Sequence, residues 1–210
     1  MEIAGQLVKQ TQNELLLKNI DKNQANFWDL GKKGANYNVS SIAIKKILLL
    51  KNEKILSQVV AIDYYMFYSA FLSQYDIMIS PKVLTVYTLH QSESHIQSKK
   101  IDDYYNKLEN RVIKVKESLC NFLKMTKDTP YFIFPEMEIF NCNVKLYMCN
   151  GKKYKISMSY VINNAINLLK YNKISSFELL IYYFIFTIFP NYSKYLFFKI
   201  EIKNMQRYQT

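Results

Sequence analysis

Apolar side chains recur along the chain at spacings that predict where helices lie. The clearest series repeats every three or four positions, which is the spacing of one face of an α-helix. Its members are Ile101, Tyr104, Leu108, Val112, Val115, Leu119 and Phe122. The series predicts a long amphipathic helix from about Lys99 to Lys127. Because it contains only about three heptads, with a tyrosine in the seam, we expect packing within the chain rather than a coiled coil.

The N-terminal part of the chain predicts short elements around one buried helix. The run from Ile62 to Leu72 is apolar on almost every side, which is typical of a buried helix. Asp63 stands at the position of an N-cap in this run. Residues 41–44 predict a short strand, and residues 45–50 predict a short helix. Residues 1–28 are polar with scattered Leu and Ile, and they predict a short helix or strand followed by a loop.

Two strands are predicted after the buried helix, at Tyr75 to Ser80 and at Val83 to Leu89, with a turn at Pro81. The second strand alternates between two faces and opens into a polar loop at His90. A histidine at this place is either an exposed residue at the end of a strand or part of a binding site.

The C-terminal half is predicted to be mostly helical. Residues 136–149 form either a helix or a strand, with a helix favoured, and residues 157–171 predict a helix. Ser175-Ser-Phe-Glu178 has the spacing of a capping box at the start of the apolar run from Phe177 to Pro190. Spanning a bilayer takes about 20 apolar residues, so this run is too short. Residues 177–204 therefore predict a helical hairpin that is buried or lies on a membrane surface.

Charge and cysteine content restrict the partners and the compartment. The net charge is +11, which suits nucleic acid, an anionic membrane surface or a phosphorylated substrate. The four glycines form neither a Walker loop nor a dinucleotide-binding loop. The three cysteines include no C-x-x-C pair, and the N-terminus shows no signal-peptide pattern. Both features indicate reduced thiols. We expect a cytoplasmic protein, with a place at the inner face of the membrane as an option.

Three segments follow one another in an order that resembles a known family. The first is Asn38-Val-Ser-Ser-Ile-Ala-Ile-Lys-Lys46, and the second is Ile62-Asp63 at the start of the aromatic-rich helix. The third is Leu84-Thr-Val-Tyr-Thr-Leu-His90-Gln-Ser-Glu-Ser94. Together they resemble the second half of the catalytic domain of family 2 glycosyltransferases, which have the GT-A fold. The resemblance covers about Asn36 to Ser94.

The resemblance implies an inverting transfer of a sugar from a nucleotide-sugar to an acceptor hydroxyl. Asp63 matches the family's catalytic base, although a helix cap would also explain an aspartate there. His90 matches a histidine at the edge of the cleft, near the diphosphate or the acceptor. The residues that the resemblance implies for substrate binding are Asn38, Ser40, Ser41, His90, Ser92 and Ser94.

The chain departs from the family pattern at three points. Ile62 stands where the family has a glutamate, and Thr88 stands where it has an arginine. No Asp-x-Asp occurs in the chain, so the carboxylates that hold a divalent Mg or Mn ion in the complete enzyme are missing. We therefore expect the C-terminal part of a truncated or split glycosyltransferase, with no cofactor of its own and no activity alone.

The expected fold class is α+β, with a partial GT-A-type mixed sheet and packed helices, followed by a mostly helical C-terminal region. Residues 1–97 would be the C-terminal half of a GT-A-like catalytic domain, and residues 98–210 the helical region. The expected partners are a nucleotide-sugar and a sugar or lipid-linked acceptor, once an N-terminal half completes the chain. Peripheral membrane contact is a further option. An incomplete sheet would expose an edge, which predicts self-association.

An alternative function is a basic helical binding module for nucleic acid or a membrane surface. Its basis is the net charge and the lysines at positions 32, 33, 45, 46, 51 and 54. We do not expect nucleic acid to be the partner, because the lysines are spread along the chain.

Overall fold

The computed structural model describes residues 2–3, 6–7, 15–19, 42–51, 53–60, 62–79, 98, 100–169 and 173–207. Within these ranges the chain is mostly helical, with two short pairs of antiparallel strands, which is an α+β composition at a coarse level. The helices are α1 (Lys46–Lys51), α2 (Glu53–Leu56), α3 (Ile62–Phe71), α4 (Ile101–Thr126), α5 (Ile133–Cys149), α6 (Met158–Leu169), α7 (Lys173–Ile188) and α8 (Pro190–Arg207). The strands are β1 (Glu2–Ile3), β2 (Gln6–Leu7), β3 (Leu15–Leu17) and β4 (Ile77–Ile79).

The chain divides into two compact units. The first contains Met1–Thr88 and Glu117–Pro135, and the second contains Leu89–Lys116 and Glu136–Thr210. The sequence-based division into residues 1–97 and 98–210 stays a prediction.

The two strand pairs are antiparallel, and the longer one joins distant parts of the first unit. β1 pairs with β2, and β3 pairs with β4 so that Leu15 lies opposite Ile79. Leu17 and Ile79 are buried while the central residues of both strands are exposed, as the alternation of side chains along a strand requires. The β3–β4 pair therefore holds the N-terminal segment beside the strand that follows α3.

Aromatic side chains of α3 form the core of the first unit. The Tyr68 ring lies 5.1 Å from the Phe122 ring between centroids, and the Phe71 ring meets the Tyr131 ring edge-on at 4.6 Å. The Tyr65 hydroxyl donates to the carbonyl oxygen of Leu49 at 3.0 Å, which fastens α3 to α1. The prediction of a buried helix from Ile62 onwards is confirmed.

The second unit has an aromatic core between α4, α5 and α8. Tyr104, Tyr105, Cys149 and Phe198 form a buried cluster, with 5.3 Å between the ring centroids of Tyr104 and Phe198. Lys194 of α8 donates to the carbonyl oxygen of Cys149 at 2.5 Å, at the last residue of α5. A cation at a helix C-terminus satisfies an unpaired carbonyl and complements the helix dipole.

Most of the helices occur where the sequence pattern predicts them. The long amphipathic helix is α4, residues 136–149 belong to helix α5, and residues 157–171 contain α6. The C-terminal hairpin is formed by α7 and α8, which pack against each other. No helix in the described part of the chain is both long and apolar enough to cross a membrane.

Two local predictions are wrong. Residues 42–44 are irregular rather than a strand, because no strand in the described ranges pairs with them and a strand needs a hydrogen-bonded neighbour. Ser175 is not the cap of α7, since the helix already begins at Lys173. The predicted strand at 83–89 lies outside the described residues.

Replacing Phe122 tests the aromatic core of the first unit. Phe122 is fully buried, so we expect Phe122→Ala to lower the free energy of unfolding by about 3–5 kcal/mol through lost burial and a cavity. Phe132→Ala is the matched control, because Phe132 is 43% exposed and should cost under about 1 kcal/mol. Urea unfolding followed by circular dichroism measures both. Equal losses in the two variants would contradict this packing.

Glu109 links α4 to the turn after α5. Its Oε1 accepts hydrogen bonds from Lys153 Nζ at 2.7 Å and from the Tyr154 hydroxyl at 2.6 Å. The bond from Lys153, and after it the bond from Tyr154, lowers the pKa of the Glu109 carboxyl. The same contacts raise the pKa of Lys153, which is itself exposed.

The Glu109 contacts predict a pH-dependent stability. A carboxyl whose pKa is lower in the folded state stabilises the fold above its unfolded pKa, and this contribution is lost as the pH falls through the folded pKa. We expect Glu109→Gln to lower the free energy of unfolding at pH 7, and the deficit to shrink as the pH falls below about 4. Glu117→Gln, at an exposed position of the same helix, is the control. A deficit for Glu109→Gln that stays constant with pH would contradict the ionic role.

Candidate functional site

Asp63 lies in the first turn of α3, one residue after the helix begins. Its side chain is half-buried, and its Oδ1 accepts the backbone N–H of Tyr64 at 3.0 Å. Within the described residues the Asp63 side chain makes this one hydrogen bond. An N-cap would instead stand outside the helix and accept an N–H two or three residues further on. Asp63 therefore lies one residue inside the assigned start of α3, and its second oxygen makes no hydrogen bond to the described part of the chain.

The segment before α3 is held in place by α4. Val59 is buried, and the N–H of Val60 donates to the Oγ of Ser118 at 3.0 Å. Ser118 is only 1% exposed. Since the later turns of α3 are packed against the rings of Phe122 and Tyr131, the helix is held near both of its ends. Asp63 thus stands on a rigid element, which is what a reacting side chain requires.

Ser118 is a positioning residue that the sequence analysis missed. It lies three residues after Val115 and four before Phe122, next to the apolar stripe of α4. A small polar residue at the border of an apolar stripe is the one local signal that pointed to a buried hydrogen bond. Its partner is 58 residues away, so the sequence pattern could not identify it.

The other predicted site residues lie outside the described residues. They are Asn38, Ser40, Ser41, His90, Ser92 and Ser94. The described structure therefore positions Asp63 alone among the predicted site residues, and the roles of the others stay predictions. Ile62, at the position of the family's glutamate, is 43% exposed, so an apolar side chain faces solvent beside the carboxylate.

Among the lysines of the alternative function, Lys45, Lys46, Lys51 and Lys54 lie in the described part of the chain. Lys45, Lys46 and Lys51 are all exposed, but Lys45 Nζ lies 3.7 Å from the ring centroid of Tyr75. Lys46 and Lys51 are five residues apart on α1 and point about 140° away from each other around the helix axis. Lys46 and Lys51 therefore do not lie on one face of α1, and the nucleic-acid alternative stays a prediction.

The described residues offer no metal site. Among them, no three His, Cys, Asp or Glu side chains lie close enough together to hold an ion. The described residues therefore supply no ligand set for the divalent metal that the family resemblance implies for a complete enzyme.

Comparisons of the chain with protein-family models, with curated proteins and with solved structures find no match. The resemblance to family 2 glycosyltransferases rests on the sequence segments themselves.

Removing the Ser118 hydroxyl tests how the start of α3 is held. We expect Ser118→Ala to speed hydrogen exchange of the Val60 amide by several-fold to about tenfold, because the N–H loses its acceptor. Ser57→Ala is the matched control, since Ser57 is exposed in the turn after α2 and its hydroxyl donates to the nearby carbonyl oxygen of Lys54. Exchange measured by mass spectrometry or NMR distinguishes the two. An unchanged rate for Val60 in Ser118→Ala would remove Ser118 from this role.

Proposed function

We propose that this chain is the C-terminal part of an inverting glycosyltransferase of the family 2 type, with Asp63 as the general base. The observation that carries the proposal is the position of the Asp63 carboxylate. It stands half-buried at the start of a rigid aromatic helix, with one oxygen that makes no hydrogen bond to the described residues. A general base needs a fixed carboxylate with an oxygen available to a substrate proton.

The helix that begins at Ile62-Asp63 supports the same proposal. It is the element that the second segment predicted, and β4 follows it. The strand predicted in the first segment is not present at residues 42–44, and the third segment lies outside the described residues. The GT-A fold itself is part of the proposal, as are the substrate roles of His90 and the serines.

The chemistry proposed for Asp63 is proton removal. Its carboxylate takes the proton from an acceptor hydroxyl while the hydroxyl oxygen attacks the anomeric carbon of the nucleotide-sugar. The bond from that carbon to the diphosphate breaks, and the nucleoside diphosphate leaves with the electron pair. Attack from the side opposite the leaving group inverts the anomeric centre. A positioned base of this kind contributes on the order of 10²–10⁴-fold to the rate.

Binding of the nucleotide and of any divalent Mg or Mn ion is assigned to an N-terminal half. The Asp-x-Asp that would hold such an ion does not occur in this sequence, and Ile62 and Thr88 replace two polar residues of the family pattern. The contribution of this chain is therefore the acceptor side of the reaction, and we expect no sugar transfer by the chain alone.

Reconstitution with an N-terminal half tests the function. The DNA before Met1 would be searched for a segment encoding nucleotide-binding strands with Asp-x-Asp, and that segment would be co-expressed with this chain. We expect the pair to transfer radiolabelled sugar from a nucleotide-sugar, and Asp63→Asn to reduce transfer by about 10²–10⁴-fold. Asp128→Asn, at an exposed position of the same unit, is the control and should retain activity.

Two results would contradict the proposal. Transfer at the wild-type rate by Asp63→Asn would show that Asp63 is not the base. Absence of transfer by the co-purified pair, with nucleotide-sugars and a range of sugar and lipid-linked acceptors, would contradict the reaction itself.

A further inference from the structure

Helix α7 is apolar on the face that it turns to solvent. Five large exposed side chains follow one another at intervals of four, three, one and three residues, which places them on a single stripe. They are Phe177, Ile181, Phe184, Ile185 and Ile188. The opposite face, with Leu179, Tyr183 and Phe186, is buried within the same unit. Folding of the unit therefore uses one apolar face of α7 and leaves another uncovered.

Helix α8 also exposes apolar and aromatic side chains, together with a lysine. Tyr192, Tyr195, Leu196 and Ile200 are 45–66% exposed and share one face, whereas Phe198 is buried. Lys199 lies within that face, and its Nζ is 5.5 Å from the ring centroid of Tyr195. Tyrosines and lysines among apolar side chains are typical of helices at a membrane–water interface, where the polar ends stay in the headgroup layer.

The corner between the two helices is the most exposed part of this surface. Ile188, Phe189 and Tyr192 are exposed by 63%, 61% and 66%. Hydrogen bonds hold the backbone of this corner in place. The buried Ser193 hydroxyl donates to the carbonyl oxygens of Phe189 at 2.7 Å and Ile185 at 3.1 Å. A fixed corner carrying three large apolar side chains would lose little conformational freedom on entering an apolar layer.

The positive charge of the protein is concentrated in this region of the chain. Residues 139–210 contain ten Lys and Arg and only two acidic residues, Glu178 and Glu201, a net charge of +8 out of +11. Glu178 lies on α7 far from the corner, and Glu201 is half-buried. The hairpin surface is thus apolar at its centre and belongs to a segment with a large excess of positive charge.

We propose that the α7–α8 corner and the outer faces of the two helices bind the surface of an anionic lipid bilayer. Lipid headgroups attract the positive charge, and the acyl boundary accepts the isoleucine and aromatic side chains. A second copy of the chain would bring two segments of charge +8 together, which costs free energy. A nucleic-acid backbone would satisfy the charge but leave the apolar stripe in water. The lipid surface is the occupant that fits both properties.

Binding to vesicles of defined composition tests the proposal on the full chain. We expect sedimentation with vesicles of phosphatidylcholine and phosphatidylglycerol, weaker binding to phosphatidylcholine alone, and weaker binding at high salt. The variant Ile188→Ser/Phe189→Ser/Tyr192→Ser should bind the anionic vesicles at least about tenfold more weakly. Lys199→Glu should weaken binding by about tenfold.

A matched control removes apolar side chains of similar exposure elsewhere. Ile47→Ser/Leu50→Ser/Met78→Ser changes three side chains that are 51–66% exposed in the first unit, and this variant should bind as the wild type does. Circular dichroism and thermal unfolding of both triple variants establish that they fold. Equal binding by the two triple variants, or no binding of the wild-type chain to anionic vesicles, would overturn the proposal.

A fluorescent reporter tests the same surface if the triple variant at positions 188, 189 and 192 does not fold. In a chain carrying Trp28→Phe, Phe189→Trp should show a blue-shifted emission on addition of anionic vesicles, whereas Met78→Trp should not. An unshifted emission at position 189 would overturn the proposal.

Sedimentation velocity without lipid tests the alternative that the surface binds a second copy of the chain. That alternative would be correct if the wild-type chain bound no vesicles but self-associated, and if Ile188→Ser/Phe189→Ser/Tyr192→Ser abolished the self-association.

The lipid-binding surface does not depend on Asp63. It belongs to the second compact unit and Asp63 to the first, so vesicle binding and sugar transfer can fail separately.

Discussion

The burial of the aromatic helix α3 is the constraint on which the candidate site depends. Its rings pack against Phe122 and Tyr131, and its first turn follows a segment held by the Ser118 hydroxyl. These contacts fix the backbone that carries Asp63 without using its carboxylate. The helix therefore combines a core built from large rings with an acidic side chain left over at its start, which is an arrangement that packing alone does not require.

The helices were predictable because their patterns are local. The apolar series from Ile101 to Phe122 defines one face of α4, and the continuous apolar run after Ile62 can be accommodated only in a buried helix. The failures were also local. The apolar residues of 42–44 suggested a strand, but a strand exists only with a partner, and the capping spacing at Ser175 also fits a position inside a helix.

Of the predicted site residues, Asp63 alone lies in the described part of the chain, and its catalytic role stays a prediction from the segment order. Ser118 was not predictable, because its bond to Val60 joins residues far apart in the chain. The exposed stripe of α7 was not predictable for a different reason. The helix is apolar on both faces, so periodicity could not indicate whether Leu179 or Ile181 faces the core. Only the packing of the other helices decides which of the two faces stays uncovered.

The separation of rate from binding in Asp63→Asn tests the central claim about Asp63 most directly. For the chain reconstituted with an N-terminal half, the account predicts that Asp63→Asn lowers the transfer rate, because an amide cannot accept the proton of the acceptor hydroxyl. It predicts that the Kd for the nucleotide-sugar stays unchanged. A Kd that weakens by the same factor as the rate falls would contradict the account.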